Sequence, residues 1–168
     1  MGEVMIRNHP FHEILIPMLV EGIGARTYLE LGTRGNDTIG KVKCRVRIGV
    51  DINPQPCRGV RFFKMTIEEF VLSHAAAHAP YDAVFIDANH DYSAIKSDFF
   101  GIYPYVSPEG LIFLHDTNPE NEADTKPDIC SDSWKFAKEI TDSDQECMTL
   151  PYHPGLTIIR KRTKWGPK

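Results

Sequence analysis

The segment that most constrains the fold runs from Tyr81 to Ile86 and ends in a cluster of polar side chains. Its last four residues, Ala83 to Ile86, are apolar, and Asp87, Asn89 and His90 follow directly. A short run of β-branched and aromatic residues is typical of a central parallel strand that helices cover on both faces. Ligands of open α/β sheets bind beyond the carboxyl ends of such strands, so Asp87 and His90 mark a candidate site.

Strand and helix patterns alternate along the chain, which predicts an α/β fold with a doubly wound, mostly parallel sheet. The predicted strands span residues 27–31, 45–50, 60–63, 84–87 and 111–114. The predicted helices span residues 66–78, 91–105 and 133–140. A hairpin over residues 147–160 closes the sheet, and a polar turn from Ser107 to Gly110 precedes the fifth strand.

An apolar stripe at helical spacing predicts an N-terminal helix over residues 11–23 that packs on the sheet. The stripe consists of Phe11, Ile14, Leu15, Met18, Leu19 and Ile23. Pro17 lies inside this helix, and we expect it to kink the helix or to end its first part.

Length and charge indicate one domain that binds neither nucleic acid nor membranes. The chain has 168 residues and a formal net charge of −4, so it has no overall positive charge to attract phosphates. No apolar run could span a bilayer and no signal peptide is recognisable, so we expect a cytoplasmic protein. Within the single domain 1–168, residues 1–26 are predicted to form a helical cap and residues 118–132 a mobile loop.

The cysteines and several histidines show no pattern that indicates a site. The four cysteines lack the spacing of a metal site or a redox pair, so we expect free thiols: Cys44, Cys57, Cys130 and Cys147. Four histidines have no convergent partners in the sequence, and we expect them at the surface: His9, His12, His74 and His78.

The turn after the first predicted strand has the composition of a nucleoside site. Gly32 and Gly35 lie where the chain is expected to turn from strand into helix, and bare backbone there lets a ligand approach. Asp51 ends the second strand nineteen residues after Gly32, a spacing typical of an acidic residue that binds ribose hydroxyls. Because the G-x-G-x-x-G cradle for a pyrophosphate is missing, the sequence favours a ligand with ribose but without pyrophosphate.

With these motifs the chain resembles the class I S-adenosylmethionine-dependent methyltransferases, from about Thr27 to Arg160. This resemblance implies a Rossmann-like, seven-stranded sheet whose last strand is antiparallel. The segments 85–98 and 110–117 resemble the metal-dependent sugar O-methyltransferases of the macrocin and mycinamicin tailoring type; they begin Phe85-Ile-Asp-Ala-Asn-His-Asp-Tyr92 and Gly110-Leu-Ile-Phe-Leu-His-Asp-Thr117. The implied activity is O-methylation, with S-adenosylmethionine as the cofactor.

The resemblance also implies roles for single residues. Asp87 and Asp116 match positions that hold a divalent metal, for which Mg²⁺ is expected, and His90 matches the base, so Asp87 and His90 are the predicted catalytic residues. His115 replaces a usual Glu and Asn89 a usual Asp; His115 is a third candidate ligand and would favour a softer ion. Cofactor binding is assigned to Glu30, Gly32, Thr33, Gly35, Asp51, Ile52, Met65, Thr66 and Asp87. Glu30 is expected either to bind the methionine ammonium group or to accept hydrogen bonds from the glycine turn.

Three functions of different classes remain open. The first is metal-assisted methylation of a hydroxyl on a sugar or another polyhydroxylated small molecule, in which His90 collects the hydroxyl proton. The second is a catalytically degenerate protein that binds the cofactor without methyl transfer, and the third is an NAD or nucleotide-sugar enzyme. Since the chain has little sequence for a substrate lid, we expect a homo-oligomer to complete the pocket.

Overall fold

The computed structural model describes residues 11–127 and 129–162, which form a seven-stranded sheet with helices on both faces. The first ten residues of the predicted cap, His9 included, lie outside the described residues. The strands are β1 (Thr27–Leu31), β2 (Val46–Asp51), β3 (Arg61–Lys64), β4 (Tyr81–Ile86), β5 (Val106–His115), β6 (Glu146–Leu150) and β7 (Leu156–Arg160). The α-helices are α1 (His12–Gly22), α2 (Ile67–Ser73), α3 (Ala75–His78), α4 (Tyr92–Ile102) and α5 (Ser133–Thr141).

The strand order is β3-β2-β1-β4-β5-β7-β6. Strands β1 to β5 pair in parallel, whereas β7 lies between β5 and β6 and is antiparallel to both. The order reverses between β1 and β4, and the carboxyl ends of these two strands flank the switch point at which open α/β sheets bind ligands. The predicted doubly wound α/β class, the mostly parallel sheet and the antiparallel last strand are confirmed.

Alternate residues of the central strands face two separate cores. Leu31 and Ile86 belong to the larger core, which also includes residues of α2, α3, α4 and α5. Phe85 faces the opposite side, where it packs in a smaller core with Ile16 and Val20 of α1. In the described part of the chain, α1 is the only α-helix of this second face.

Helix α1 packs on the sheet through only part of the predicted stripe, because Leu15 and Leu19 contact the smaller core while the deepest positions are Ile16 and Val20. Ile16 and Val20 are fully buried, whereas Ile14 is 50% and Met18 is 63% exposed. The helix also continues through Pro17, so the predicted end of its first part was wrong. Proline in a helix interior costs roughly 3 kcal/mol, and the burial of Ile16 and Val20 on either side of it offsets that cost.

Three predictions about the connections are corrected by the structure. The segment after β1 forms turns rather than a helix, and it buries Ile39 and Val42 through those turns. The predicted helix over 66–78 divides into α2 and α3 at His74, whose φ of −128° is not helical. The predicted turn at residues 107–110 lies inside β5. The pairing of β4 with β5 is irregular there, and Glu109 adopts a left-handed φ of 64°.

Other expectations have mixed outcomes. The four cysteines are free, as predicted. His74 and His78 are half-buried rather than at the surface, because both rings pack against Phe63. No helix within the described ranges has the length and apolar character needed to cross a bilayer. The segment 118–132 contains a 3-10 helix, Glu122–Thr125, and its mobility stays a prediction.

Candidate active site

The candidate site lies where the carboxyl ends of β1, β4 and β5 meet. These strands are adjacent in the sheet, so residues that follow them converge although they are distant in sequence. Gly32 follows β1, Asp87 follows β4, and His115 and Asp116 end β5. The backbone amide of Asp87 donates to the carbonyl of Leu31 at 2.9 Å and extends the pairing of β1 with β4 into the site.

Gly32 is required by a close approach of backbone to backbone. Its φ is +86°, and a Cβ atom at this position would lie 2.2 Å from the carbonyl oxygen of Asp87. Glycine alone tolerates both conditions. The absence of a side chain at Gly32 therefore allows the turn after β1 to contact the end of β4. This contact positions Asp87, and the bare backbone also leaves space for a ligand.

Asp116 has a left-handed backbone, with a φ of 57°, and its side chain is buried. Successive residues of a regular strand point to opposite faces, so His115 and Asp116 could not normally meet. The left-handed turn brings them together, and Nδ1 of His115 lies 3.0 Å from Oδ2 of Asp116. The hydroxyl of Ser133 on α5 donates to the carbonyl of Asp116 at 2.5 Å and holds this turn.

Two carboxylates and two imidazoles form one compact cluster at this point. One ligand atom from each of Asp87, His90, His115 and Asp116 lies within 4.8 Å of the others. Nε2 of His90 is 3.0 Å from Asp116 and 3.5 Å from Asp87, and Nδ1 of His115 is 2.9 Å from Asp87. The structure thus brings together all four residues predicted as metal ligands or base.

The charges in this cluster are strongly coupled. Burial alone would lower the pKa of His90, but its hydrogen bonds with Asp116 and Asp87 raise that pKa to about 10. Burial likewise opposes protonation of His115, whereas the charge of Asp87 and hydrogen bonds to both carboxylates raise its pKa to about 9. In turn, despite burial, the two imidazoles hold the pKa of Asp87 and of Asp116 below the usual range. The cluster is therefore a site that attracts positive charge.

His90 is oriented by the segment 118–132. Its Nδ1 atom lies 2.5 Å from the carbonyl oxygen of Ile129, and a carbonyl can only accept, so Nδ1 bears the hydrogen. Neutral His90 therefore presents the lone pair of Nε2 to the carboxylates. The same segment caps α4, because Oδ1 of Asp132 accepts from the backbone amide of Tyr92 at 2.6 Å. Asp91, which precedes the first residue of α4, makes no side-chain cap and accepts from the hydroxyl of Ser131 instead.

His12 belongs to the site although it was expected at the surface. Its ring centroid lies 4.1 Å from that of His115 and 5.6 Å from that of Phe85. Burial lowers the pKa of His12 to about 4, and the charge of His115 acts in the same direction. The spacing of His12, Ile16 and Val20 along one helical face was a usable signal, because the buried face of α1 leads directly to His12.

A cleft of about 730 Å³ lies over the ends of β1, β2 and β3. Its lining includes most of the predicted cofactor residues: Gly32, Asp51, Ile52, Met65, Thr66 and Asp87. Asp51 accepts hydrogen bonds from the backbone amides of Thr33 and Arg34 at 2.9 and 3.0 Å, and from that of Asn53 at 2.7 Å. Although burial opposes ionisation, these bonds hold the pKa of Asp51 below its usual range. Asp51 thus also fixes the glycine turn, the role considered for Glu30.

A second cleft, of about 400 Å³, meets the first at Gly32, Arg34 and Asp87. Its lining includes the four-residue cluster together with His12, Glu30 and Thr33. Glu30 is buried and accepts from the hydroxyl of Tyr28 at 2.6 Å, and burial raises its pKa well above the usual range. Gly35 lines neither cleft.

Comparisons with solved structures agree with this architecture. The O-methyltransferase TomG from Streptomyces achromogenes, solved with S-adenosylmethionine, is 17% identical, with a TM-score of 0.71 over 89% of this chain and 79% of that chain. An O-methyltransferase from Bacillus cereus, solved with S-adenosylhomocysteine, is 16% identical, with a TM-score of 0.65 over 90% of this chain and 81% of that chain. The MycE methyltransferase of mycinamycin biosynthesis, solved with Mg and S-adenosylhomocysteine, is 20% identical, with a TM-score of 0.65 over 89% of this chain and 48% of that chain.

The sequence comparison points to the same class. Residues 41–117, a little under half of the chain, match a family described as a methyltransferase domain. This segment includes Asp51, Asp87, His90 and Asp116. No curated protein matches the chain significantly. The chain thus contains a segment that matches a methyltransferase-domain family, and it shares its fold with solved methyltransferases.

Proposed function

We propose that this protein transfers a methyl group from S-adenosylmethionine to a hydroxyl of a sugar or another polyhydroxylated small molecule, with a divalent metal and His90 as the base. The observation that supports this proposal is the position of the carboxylate and imidazole cluster. It borders the second cleft directly, and Asp87 belongs to both clefts. A cofactor in the first cleft would therefore meet an acceptor in the second beside the cluster.

The donor set suits a divalent cation. Asp87 and Asp116 offer carboxylate oxygens, which Mg²⁺ prefers, and His115 offers an imidazole nitrogen, which first-row transition ions prefer. Both histidines in the cluster have raised pKa values, so without a cation they compensate the carboxylates with protons. We propose Asp87, Asp116 and His115 as the ligands and expect Mn²⁺ to compete well with Mg²⁺.

The cofactor fits the two clefts by its chemistry. The carboxylate of Asp51 borders the first cleft, where ribose hydroxyls could donate to it. The carboxyl of Glu30 is buried beside the glycine turn, and no cation pairs with it among residues 11–127 and 129–162. An ammonium group at this point would supply the missing positive charge. We therefore propose that the methionine part lies between Glu30 and Asp87, with the adenosine part in the first cleft.

The protein's residues would position the acceptor and take its proton. A methyl sulfonium is already activated, so alignment of oxygen, carbon and sulfur is the main task. A divalent cation would offset the charge of Asp87 and Asp116, which otherwise holds a proton on His90, and would lower the pKa of a nearby acceptor hydroxyl. The acceptor oxygen forms its bond to the methyl carbon as the carbon–sulfur bond breaks, and Nε2 of His90 collects the hydroxyl proton. The Ile129 carbonyl keeps His90 in the tautomer that this transfer requires.

The lining of the second cleft favours a polar acceptor. Hydroxyl and carboxylate groups line it beyond the cluster, from Glu13, Asp37 and Thr38. Asp37 and Thr38 can accept from hydroxyls of a sugar ring, and an apolar acceptor would leave these two without partners, whereas Glu13 is already paired with Lys41. The likeness to the macrocin and mycinamicin tailoring enzymes supports the same class of acceptor.

The first test is isothermal titration with S-adenosylhomocysteine, with and without Mg²⁺ or Mn²⁺. We expect a dissociation constant near micromolar, equivalent to about 8 kcal/mol, and loss of binding in Asp51→Ala. Asp144→Asn, which changes an exposed carboxylate in the turn before β6, is the matched control and should bind normally. Absence of binding to the wild type under every condition would overturn the proposal.

The second test is transfer of a labelled methyl group to a panel of sugars, glycosides and phenols. We expect transfer to a polyhydroxylated acceptor, loss of transfer in excess chelator and recovery when Mg²⁺ or Mn²⁺ is restored. Full transfer in chelator would remove the metal from the proposal. Cofactor binding without transfer to any acceptor would instead favour the catalytically degenerate protein.

A further inference from the structure

Asp98, the last residue of the segment 85–98, lines the first cleft, and the sequence assigned it no role. It lies on α4 one helical turn after Ala94, and both residues line the cleft. Met65, Thr66 and Ile67, at the end of β3 and the start of α2, line it too. Asp98 thus belongs to the part of the cleft that lies away from the metal cluster.

The carboxylate of Asp98 has no partner in the protein. Across residues 11–127 and 129–162 it takes part in no hydrogen bond and no ion pair, whereas Asp51 in the same cleft accepts from three backbone amides. The side chain is half-buried, and burial raises the pKa of Asp98 to about 6, with no opposing group nearby. A carboxyl that is desolvated without compensation is a feature expected of a residue whose partner is a ligand.

The proposed position of the cofactor determines what could lie against Asp98. The reactive sulfur must approach the cluster at Asp87, and ribose must reach Asp51 at the end of β2. The base then extends over the end of β3 toward α2 and α4. In this region Met65, Ile67 and Ala94 offer apolar surface suited to a flat aromatic ring, and Asp98 is the acidic residue of α4.

An ionised carboxylate only accepts hydrogen bonds, and the only hydrogen-bond donor on the adenine ring is its exocyclic amine. We propose that Asp98 binds the exocyclic amine of the cofactor's adenine and selects adenine among the purines. This inference rests on the proposed function, because it assumes S-adenosylmethionine in the first cleft.

The test compares S-adenosylhomocysteine with its analogue in which unsubstituted purine replaces adenine, by isothermal titration. A hydrogen bond to a charged group corresponds to roughly 10- to 100-fold in affinity, so the wild type should bind the analogue weaker by that factor. Asp98→Ala should weaken S-adenosylhomocysteine binding by a similar factor and leave the analogue's affinity unchanged. Asp98→Asn, whose amide oxygen still accepts, should recover part of the loss.

The outcomes separate this inference from the proposed function. If the wild type binds S-adenosylhomocysteine but Asp98→Ala weakens both ligands equally, the role of Asp98 in recognising the amine is wrong while the cofactor assignment stands. If Asp98→Ala binds S-adenosylhomocysteine as tightly as the wild type does, the role of Asp98 is likewise wrong and the cofactor assignment likewise stands. If the wild type binds neither ligand, both proposals fail together. Asp144→Asn is again the control, and thermal unfolding of each variant verifies that it is folded.

Discussion

Nε2 of His90 and Oδ2 of Asp116 lie 3.0 Å apart, although the two residues follow different strands and the whole of α4 and β5 lies between them in sequence. This contact forms because β4 and β5 are adjacent and because Asp116 has a left-handed backbone. It aims the basic nitrogen of His90 at the junction of the two clefts. The proton acceptor and the proposed metal ligands are therefore positioned by one turn at the end of β5.

Replacing His90 by Gln should separate catalysis from binding. Glutamine retains polarity but cannot collect a proton at neutral pH, so we expect methyl transfer to fall by about 10²- to 10⁴-fold. The affinity for S-adenosylhomocysteine should change by less than roughly 3-fold, because the proposed contacts of the cofactor are with Glu30, Asp51 and Asp98 and not with His90. Single-turnover methyl transfer and titration calorimetry measure the two effects. Undiminished transfer would show that another group is the base.

Glu30→Gln tests the proposed site of the methionine part. The variant removes the charge but retains the shape and the bond to Tyr28, so the fold should persist. S-adenosylhomocysteine should bind about 10- to 100-fold more weakly, because its ammonium group loses a charged partner. Methylthioadenosine, which lacks the amino acid part, should bind both proteins equally. An equal loss for both ligands would place Glu30 at the nucleoside instead.

Asp98→Asn should stabilise the protein in the pH range in which the wild-type carboxylate is ionised. The pKa of Asp98 is raised from 3.8 to about 6 in the folded state, so folding favours its protonated form. The free energy of unfolding of the wild type should therefore fall as the pH rises from about 4 through 6, because the folded state holds the proton of Asp98 more tightly than the unfolded state does. Urea unfolding should therefore show the variant more stable by about 1 to 3 kcal/mol at pH 7.5 and equal to the wild type near pH 4. A constant difference at all pH values would contradict this prediction.

Gly32→Ala should destabilise the fold and disturb Asp87. The new Cβ atom would lie 2.2 Å from the carbonyl of Asp87, and the left-handed φ is unfavourable for alanine. Together these effects should cost about 3 to 5 kcal/mol in chemical unfolding. Gly22→Ala is the matched control, because nothing lies within 4 Å of its Cβ position at the end of α1. That variant should be neutral or up to about 1 kcal/mol more stable.

Much of the sheet could be predicted from sequence because its strands are short apolar runs between polar turns. The order of neighbouring strands then brought Asp87, His90 and Asp116 together, as expected of residues that follow parallel strands. Strand bounds were less accurate. The fifth strand extends from Val106 to His115 because β4 still pairs with it beyond the irregularity, a feature that depends on the partner strand.

The residues that were missed reach the site from helices. No role was predicted for His12 or Asp98, and each lies in a cleft because of how α1 and α4 pack on the sheet. For α1 only part of the predicted stripe packs on the sheet, since Ile14 and Met18 remain exposed. Hydrophobicity alone does not determine which face of a short helix packs on a sheet. The face that packs on the sheet also determines which polar residues of the helix lie near the site.

The segment 118–132 provides both the carbonyl that fixes the ring of His90 and the carboxylate that begins α4. A displacement of residues 129–132 would release both contacts. The ring would then be free to rotate and exchange tautomers, and the first turn of α4 would lose its cap. The orientation of the proposed base and the start of α4 thereby depend on one short stretch of chain, residues 129–132.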